Sequence, residues 1–283
     1  WTQQSLYIGT PFFGDGVSYG SHTLLASLDG SDLTIEQTDT GILLSTSIAL
    51  VPAGLHIKLI RANAAFACLF LDPLGKDFSL LSHCMTAKTG EIQHGGFCDD
   101  AFLAAFNKIW HGQLSIEQAE DTIKAAFPDP RTVAFRHKVD EKVKRVLGLI
   151  AQEPSKNLSS EDLADFVGIS EAQLRRVFKF TVGVPIRRYR LWHRLLVVLR
   201  LMAEGHTLTN AALESGFSDS SHFNHVFRDV FGVNPSTVLK RNGAMRVLVC
   251  NELAVKVPAK QSYGNLFSIS NRKSTGLPNY RTA

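Results

Sequence analysis

Residues 163–179 read Leu163-Ala164-Asp165-Phe166-Val167-Gly168-Ile169-Ser170-Glu171-Ala172-Gln173-Leu174-Arg175-Arg176-Val177-Phe178-Lys179. About 48 residues further on comes a second stretch of the same kind, Ala211-Ala212-Leu213-Glu214-Ser215-Gly216-Phe217-Ser218-Asp219-Ser220-Ser221-His222-Phe223-Asn224-His225-Val226-Phe227-Arg228. Each sets a small residue four positions before a glycine and an apolar residue just after it. An amphipathic helix ending in Phe and a cation follows. Alanine at the small position lets two helices cross closely, and glycine permits the sharp turn between them. The pattern predicts a helix-turn-helix unit in each stretch, and two units in one chain predict a grip on two successive major grooves of DNA.

The flanking sequence supports an all-α region. Val139, Val143, Val146, Leu147 and Ile150 recur with the period of an amphipathic helix. Ser159 and Asp162 form a capping box ahead of the first unit. Between the units, Tyr189, Trp192, Leu195, Leu196, Leu199 and Met202 line one face of a long helix that Gly205 stops. At 16 or so residues it spans roughly 24 Å, enough to set two recognition helices about one DNA turn (~34 Å) apart.

Charge divides the chain in the same way. Residues 1–130 carry 6 Lys/Arg against 14 Asp/Glu, residues 131–243 carry 18 against 11, and residues 244–283 carry 6 against 1. A basic back half is what a polyanion-binding surface needs, since phosphate contacts release condensed counterions. At 283 residues with 45% hydrophobic content, the chain is long enough for two packed domains. Cys68, Cys84, Cys98 and Cys250 lie far apart without a CxxC pair, which argues against a disulfide framework. His83, Cys84, His94 and Cys98 match no familiar zinc spacing. No apolar run reaches the ~18 residues of a membrane span and no signal peptide opens the chain, so neither a membrane nor an export route is expected, and the compartment read from the sequence is the cytosol. Trp1 at the start suggests that an initiator segment is missing.

The front reads differently. Residues 21–28 end at Asp29-Gly30, and Ile42-Leu43-Leu44-Ser45 follows Asp39-Thr40-Gly41; both fit hairpin strands. With residues 49–56 and the apolar run 64–71, they predict a small β-barrel or sandwich. From Leu74 the pattern turns helical. Asp99-Asp100 caps a helix with Phe102, Phe106, Ile109 and Trp110 on one face, and Ser115 with Gln118 caps a second carrying Ala119, Ile123 and Ala126. The first face suits either a dimer surface or a domain core. Phe127-Pro128-Asp129-Pro130 breaks the chain. The expected division is a front domain over 1–127, a linker over 128–135, a DNA-binding domain over 136–243, and a partly disordered basic tail over 244–283, strand-like from Met245 to Val257. The fold class is α+β, a β-barrel with flanking helices followed by an all-α domain with two helix-turn-helix units.

Residues 136–241 resemble the AraC/XylS family of transcription regulators. The first unit carries the resemblance together with Thr181-x-Gly183-Val184-Pro185, Arg187-Arg188-Tyr189-Arg190-Leu191-Trp192-x-Arg194-Leu195, Gly216-Phe217-Ser218-Asp219-Ser220-Ser221-His222-Phe223-x-x-x-Phe227 and Phe231-Gly232-Val233-x-Pro235-Ser236. The sequence departs from it at His225, where many relatives have Arg, and at Ala211-Ala212, where many have Ile-Ala. The resemblance implies base reading by Ala172, Arg175 and Arg176 in the first unit and by Ser220, Ser221, Asn224 and His225 in the second. Arginine suits guanine because it can bond O6 and N7 together. Arg187, Arg188, Arg190 and Arg194 suit phosphates or interdomain pairing instead. The partners implied are double-stranded DNA and a second copy of the chain, and the implied action is activation.

Residues 1–72 resemble the cupin-type sensor domains that precede such DNA-binding regions. Pro52-Ala53-Gly54-Leu55-His56 matches the second cupin signature, while the first is reduced to His22. His22 and His56 are two ligands at most, short of the three a catalytic metal needs, so no catalytic residue, metal or cofactor is expected. They remain candidates to touch a small-molecule effector in the barrel mouth. Arg190-x-x-x-Arg194 has the spacing of cyclic di-GMP sites, which makes a cyclic dinucleotide a candidate effector. The competing readings are a cupin metalloenzyme fused to a DNA-binding module and an effector-independent DNA-binding protein.

Overall fold

The structure, a computed structural model, describes residues 4–11, 13–14, 16–71, 77–96, 99–112, 114, 116–132, 140–236, 245–250 and 267–270. Trp1, Leu74, Cys98, Ser115, Val139 and Gly243 lie outside the described residues, as do 133–135 of the expected linker and most of the tail, Val257 included.

The front of the chain forms β1 (Ser5–Gly9), β2 (Thr23–Ser27), β3 (Leu33–Gln37), β4 (Ile42–Thr46), β5 (Ile48–Val51), β6 (Ile57–Arg61) and β7 (Phe66–Phe70). Helix α1 (Asp77–Cys84), the hairpin β8 (Met85–Thr89) and β9 (Ile92–Gly96), and helices α2 (Asp99–Trp110) and α3 (Ile116–Ala126) follow. Strands β10 (Met245–Cys250) and β11 (Phe267–Ser270) come from the tail. One sheet has the order β11-β10-β1-β7-β2-β5-β9-β8 and the other β4-β3-β6. β10 pairs antiparallel with β1, Tyr7 in register with Val247, so this stretch of the tail returns to the front sheet.

Why the 64–71 run is apolar throughout follows from its place. Strands β2, β5 and β7 are buried on both faces, so alternation has no polar side to show. One face (Leu25, Ala49, Val51, Cys68, Phe70) packs against Leu33, Ile35, Leu44 and Ile57 of the smaller sheet. The other (Leu24, Ala26, Ile48, Leu50, Leu69) packs against Phe102, Phe106 and Ile109 of α2 and Ile123 of α3. The face of α2 that suited either a dimer or a core is therefore core.

The expected barrel does not close. Among the described residues β4 and β6 pair with β3 and with no strand of the large sheet: the chain changes sheet at the β2–β3 turn, at Ser47, and again on either side of β6. The arrangement is an open pair of sheets.

The back of the chain is helical: α4 (Glu141–Gln152), α5 (Ser160–Val167), α6 (Glu171–Val182), α7 (Ile186–Ala203), α8 (Leu208–Glu214) and α9 (Ser220–Phe231). Ser159 and Asp162 cap α5 reciprocally, at 3.0 and 2.7 Å, and these hydrogen bonds hold the Asp162 carboxyl below its ordinary pKa. Gly168, with φ 67°, turns the chain from α5 into α6, where Ala164 is buried at the crossing. Gly216, with φ 89°, occupies the same position between α8 and α9, with Ala211 and Ala212 fully buried. Helix α7 has 18 residues, about 27 Å at 1.5 Å per residue, and ends just before Gly205.

The two halves share one core. Trp192 of α7 reaches the front sheets, its ring 4.7 Å from Phe70 and 6.3 Å from Tyr19, and on its other side lies 5.7 Å from Phe231 of α9. A Cβ at Gly20 would run into the Cβ of Trp192, and one at Gly54 would stand 2.9 Å from Val184. These glycines are present because backbone meets side chain across the junction.

Candidate nucleic-acid interface

Helix α6 begins at Ser170, whose hydroxyl accepts from the Gln173 amide, and it is anchored by Leu174, Phe178 and Val182 in the core of α4 and α5. With that face fixed inward, Ala172, Arg175 and Arg176 come out exposed. Arg175 bonds Glu171 one turn earlier at 2.6 Å, its side chain 65% exposed. Arg176 has no partner among the described residues. A surface pair of this kind is worth at most about 1 kcal/mol, so both guanidinium groups are available to an incoming polyanion.

Helix α9 is built the same way. Asp219 caps it by accepting from the His222 amide at 2.8 Å, and Phe223, Val226, Phe227 and Val230 fix its inner face. Ser220, Ser221, Asn224 and His225 are exposed. So is Arg228, one turn beyond Asn224, which the sequence reading missed; its spacing from Asn224 and His225 was the available signal. His222 contacts Ser218 and the Phe217 ring, a local role.

The arginines of α7 have separate fates. Arg187 is exposed. Arg188 donates to the Ser18 carbonyl in the front half and stands 3.9 Å from Asp229 of α9. It thus links α7 to the front half and to α9. Arg190 donates to the carbonyls of Leu158 and, at 2.9 Å, Lys156, and Arg194 donates to that of Pro154 at 2.9 Å. Both clamp the α4–α5 connection, and burial lowers the pKa of both. Arg194 is only 7% exposed. The spacing that suggested a cyclic dinucleotide is explained by this loop.

His22 and His56 face different surroundings. His22 stacks on Phe78 at 3.8 Å, accepts from the Ala53 amide at 3.1 Å, and is held neutral by burial, which lowers its pKa to about 4. It neighbours Gly183, which ends α6. His56 is exposed, 3.7 Å from Asp39, and lines a groove of about 300 Å³ between the front half and α9. Of the other histidines and cysteines weighed for zinc, His83 contacts the Ser79 carbonyl, His94 contacts Thr89, and the Cys84 thiol bonds the Leu80 carbonyl. Among the described residues no three His, Cys, Asp or Glu side chains gather as a metal site, and no helix is long and apolar enough to cross a membrane.

Residues 163–241, from α5 to just beyond α9, match the family described as "Helix-turn-helix domain". The uncharacterized HTH-type transcriptional regulator YidL of Escherichia coli (strain K12) is 32% identical over 99 residues, 35% of this chain and 33% of that protein. The HTH-type transcriptional regulator NimR of the same organism is 21% identical over 197 residues, 68% of this chain and 69% of that protein. The chain therefore spans about a third of the length of YidL. Apo ToxT from Vibrio cholerae, crystallised as a point variant, has a similar fold, with a TM-score of 0.58 at 14% identity, over 83% of this chain and 95% of that one. Helices α6, α8 and α9 lie wholly within the matched residues and α5 overlaps them, so this chain carries a helix-turn-helix domain similar to that of HTH-type transcriptional regulators.

Proposed function

We propose that the chain is a DNA-binding transcription regulator whose helices α6 and α9 enter successive major grooves, with α5–α6 and α8–α9 as its two helix-turn-helix units. The observation that carries this is the exposed face of α6. There Ala172, Arg175 and Arg176 stand at the N-terminal half of a capped helix whose other face is locked into a core, the arrangement base reading requires. Arg176, free of partners among the described residues, and Arg175, held by one exposed ion pair, are the guanine readers. Ser220, Ser221, Asn224 and His225 supply a short-chained, neutral surface in the second unit, which suits anchoring with permissive readout. Arg187 is the phosphate contact on α7.

In this reading residues 1–127 sense and pair, 128–135 link, and 136–243 bind DNA in the cytoplasm. Activation and a homodimer rest on the family resemblance. A small-molecule effector is supported by the fold: one ToxT structure is described as bound to an unsaturated fatty acid. The clamp made by Arg190 and Arg194 favours an organic effector at the junction of the halves over a cyclic dinucleotide held by that pair. An effector of this kind acts by binding one arrangement of the halves better than another.

The test is binding of the full chain to promoter fragments across a salt series. Sequence-dependent binding that weakens steeply with salt is expected. Equal, salt-insensitive retention of all fragments would refute the reading.

A further inference from the structure

The groove between the front half and α9 has two walls of separate origin. One is formed by Gly16, Thr38 and His56, and the other by His225, Arg228 and Asp229 on α9. The walls meet tightly at one end, where a Cβ on Gly232 would stand 2.9 Å from the Gly16 carbonyl oxygen. Away from that end the space opens to about 300 Å³.

The carboxylates beside the groove differ from its basic groups in being paired. Asp39 faces His56 at 3.7 Å, and Asp229 faces Arg188 at 3.9 Å, so each nearby carboxylate already has a side-chain partner. Arg228 and His225 have none among the described residues. A guanidinium and an imidazole on adjacent turns of one helix, opposite a second imidazole, present several hydrogen-bond donors to a space the size of a small metabolite.

We propose that this groove binds a small molecule through an oxyanion, a carboxylate or phosphate group held by Arg228 and His225 on α9 and by His56 on the opposite wall. The molecule ties α9 to the front half, because both walls contribute and neither is complete alone. His225 is also among the residues assigned to DNA, so an occupant of the groove and a DNA duplex draw on the same helix face. This regulatory consequence rests on the reading of α9 as a DNA-facing helix; the binding itself does not.

The experiment uses the full chain with inorganic phosphate and with citrate, each titrated by calorimetry at ionic strength held constant with chloride. Thermal melting runs in parallel. Saturable binding of at least one probe is expected, with a rise in melting temperature. Arg228→Gln and His56→Gln, both exposed and outside the core, should each weaken it tenfold or more, while Arg131→Gln on the remote surface leaves it unchanged. A difference between the probes tells whether phosphate or carboxylate is the preferred group. No saturable binding, or full binding by both groove variants, would overturn the proposal. Loss in Arg228→Gln alone would overturn the bridging geometry, since that is what a DNA-phosphate contact on α9 gives. Anisotropy with labelled promoter DNA on the same preparations keeps the two readings apart: phosphate binding without DNA binding sinks the regulator and leaves the groove.

Discussion

Trp192 and Gly20 meet across the junction of the two halves so closely that the tryptophan Cβ takes the space a side chain at position 20 would need. The indole then lies edge-on to Phe70 and within reach of Phe231, which makes one residue common to the front sheets, α7 and α9. Truncating it leaves a cavity in the shared core. Trp192→Ala should cost about 3–5 kcal/mol in urea unfolding, and Gly20→Ala about 1–3 kcal/mol through overpacking. If the halves were packed independently, either change would leave the unfolding midpoint near that of the wild type.

The clamp on the α4–α5 connection makes a different prediction for the neighbouring arginines. Arg194 donates to the Pro154 carbonyl from a nearly buried position. A hydrogen bond from a charged donor is worth about 1.5–3 kcal/mol, so Arg194→Ala should lower stability by roughly that amount. Its effect on DNA affinity should follow from the lost stability alone. Equilibrium dialysis with cyclic di-GMP checks the alternative: binding that disappears in Arg194→Ala would restore the dinucleotide site.

These arginines show where the sequence is readable and where it is not. Local features carried through: the Ser159–Asp162 box, the turn at Gly168 and the apolar faces of α6 and α9 all depend on residues within a few positions of one another. Arg188, Arg190 and Arg194 look alike in the chain, yet one donates to Ser18, 170 residues away, and the others to the α4–α5 connection. Periodicity assigns a face to a helix, but only the packed fold says what lies against that face. The groove was hidden for the same reason, since Gly16 and Gly232 come together only when the halves dock. The expected barrel failed on pairing: alternation marks a strand without naming its neighbour, and among the described strands β3 pairs with β4 and β6.

Two half-buried histidines make stability depend on pH. Burial lowers the pKa of His22 to about 4, and burial together with the charges of Arg200 and Arg194 does the same for His193. Unfolded histidine titrates near 6.5, so above that value both states are neutral and the full stability is present. As the pH falls from about 6.5 toward 4 the unfolded chain takes up protons that the folded chain refuses, and stability drops by up to about 1.4 kcal/mol per pH unit for each group. Urea midpoints at pH 7, 6 and 5 should fall accordingly. His193→Leu should flatten the fall; an unchanged slope would mean that His193 is not held neutral.

DNA affinity separates the roles of three arginines. Arg175 has only an exposed pair with Glu171 to give up, so its guanidinium can turn to a base edge at little cost. Arg175→Ala should lose about 1–3 kcal/mol on the preferred site and tolerate substitutions at one position of it. Arg187, exposed at the start of α7, should act on the backbone: Arg187→Ala should weaken all sequences alike and reduce the salt slope by about 0.9. Arg188 resembles Arg187 in sequence but is held between Ser18 and Asp229, so Arg188→Ala should leave the salt slope unchanged while loosening α9 from the front half. Salt titrations of the three variants against one promoter fragment decide the matter. A salt-slope change in Arg188→Ala equal to that in Arg187→Ala would place Arg188 on a phosphate and show that the halves part when DNA binds.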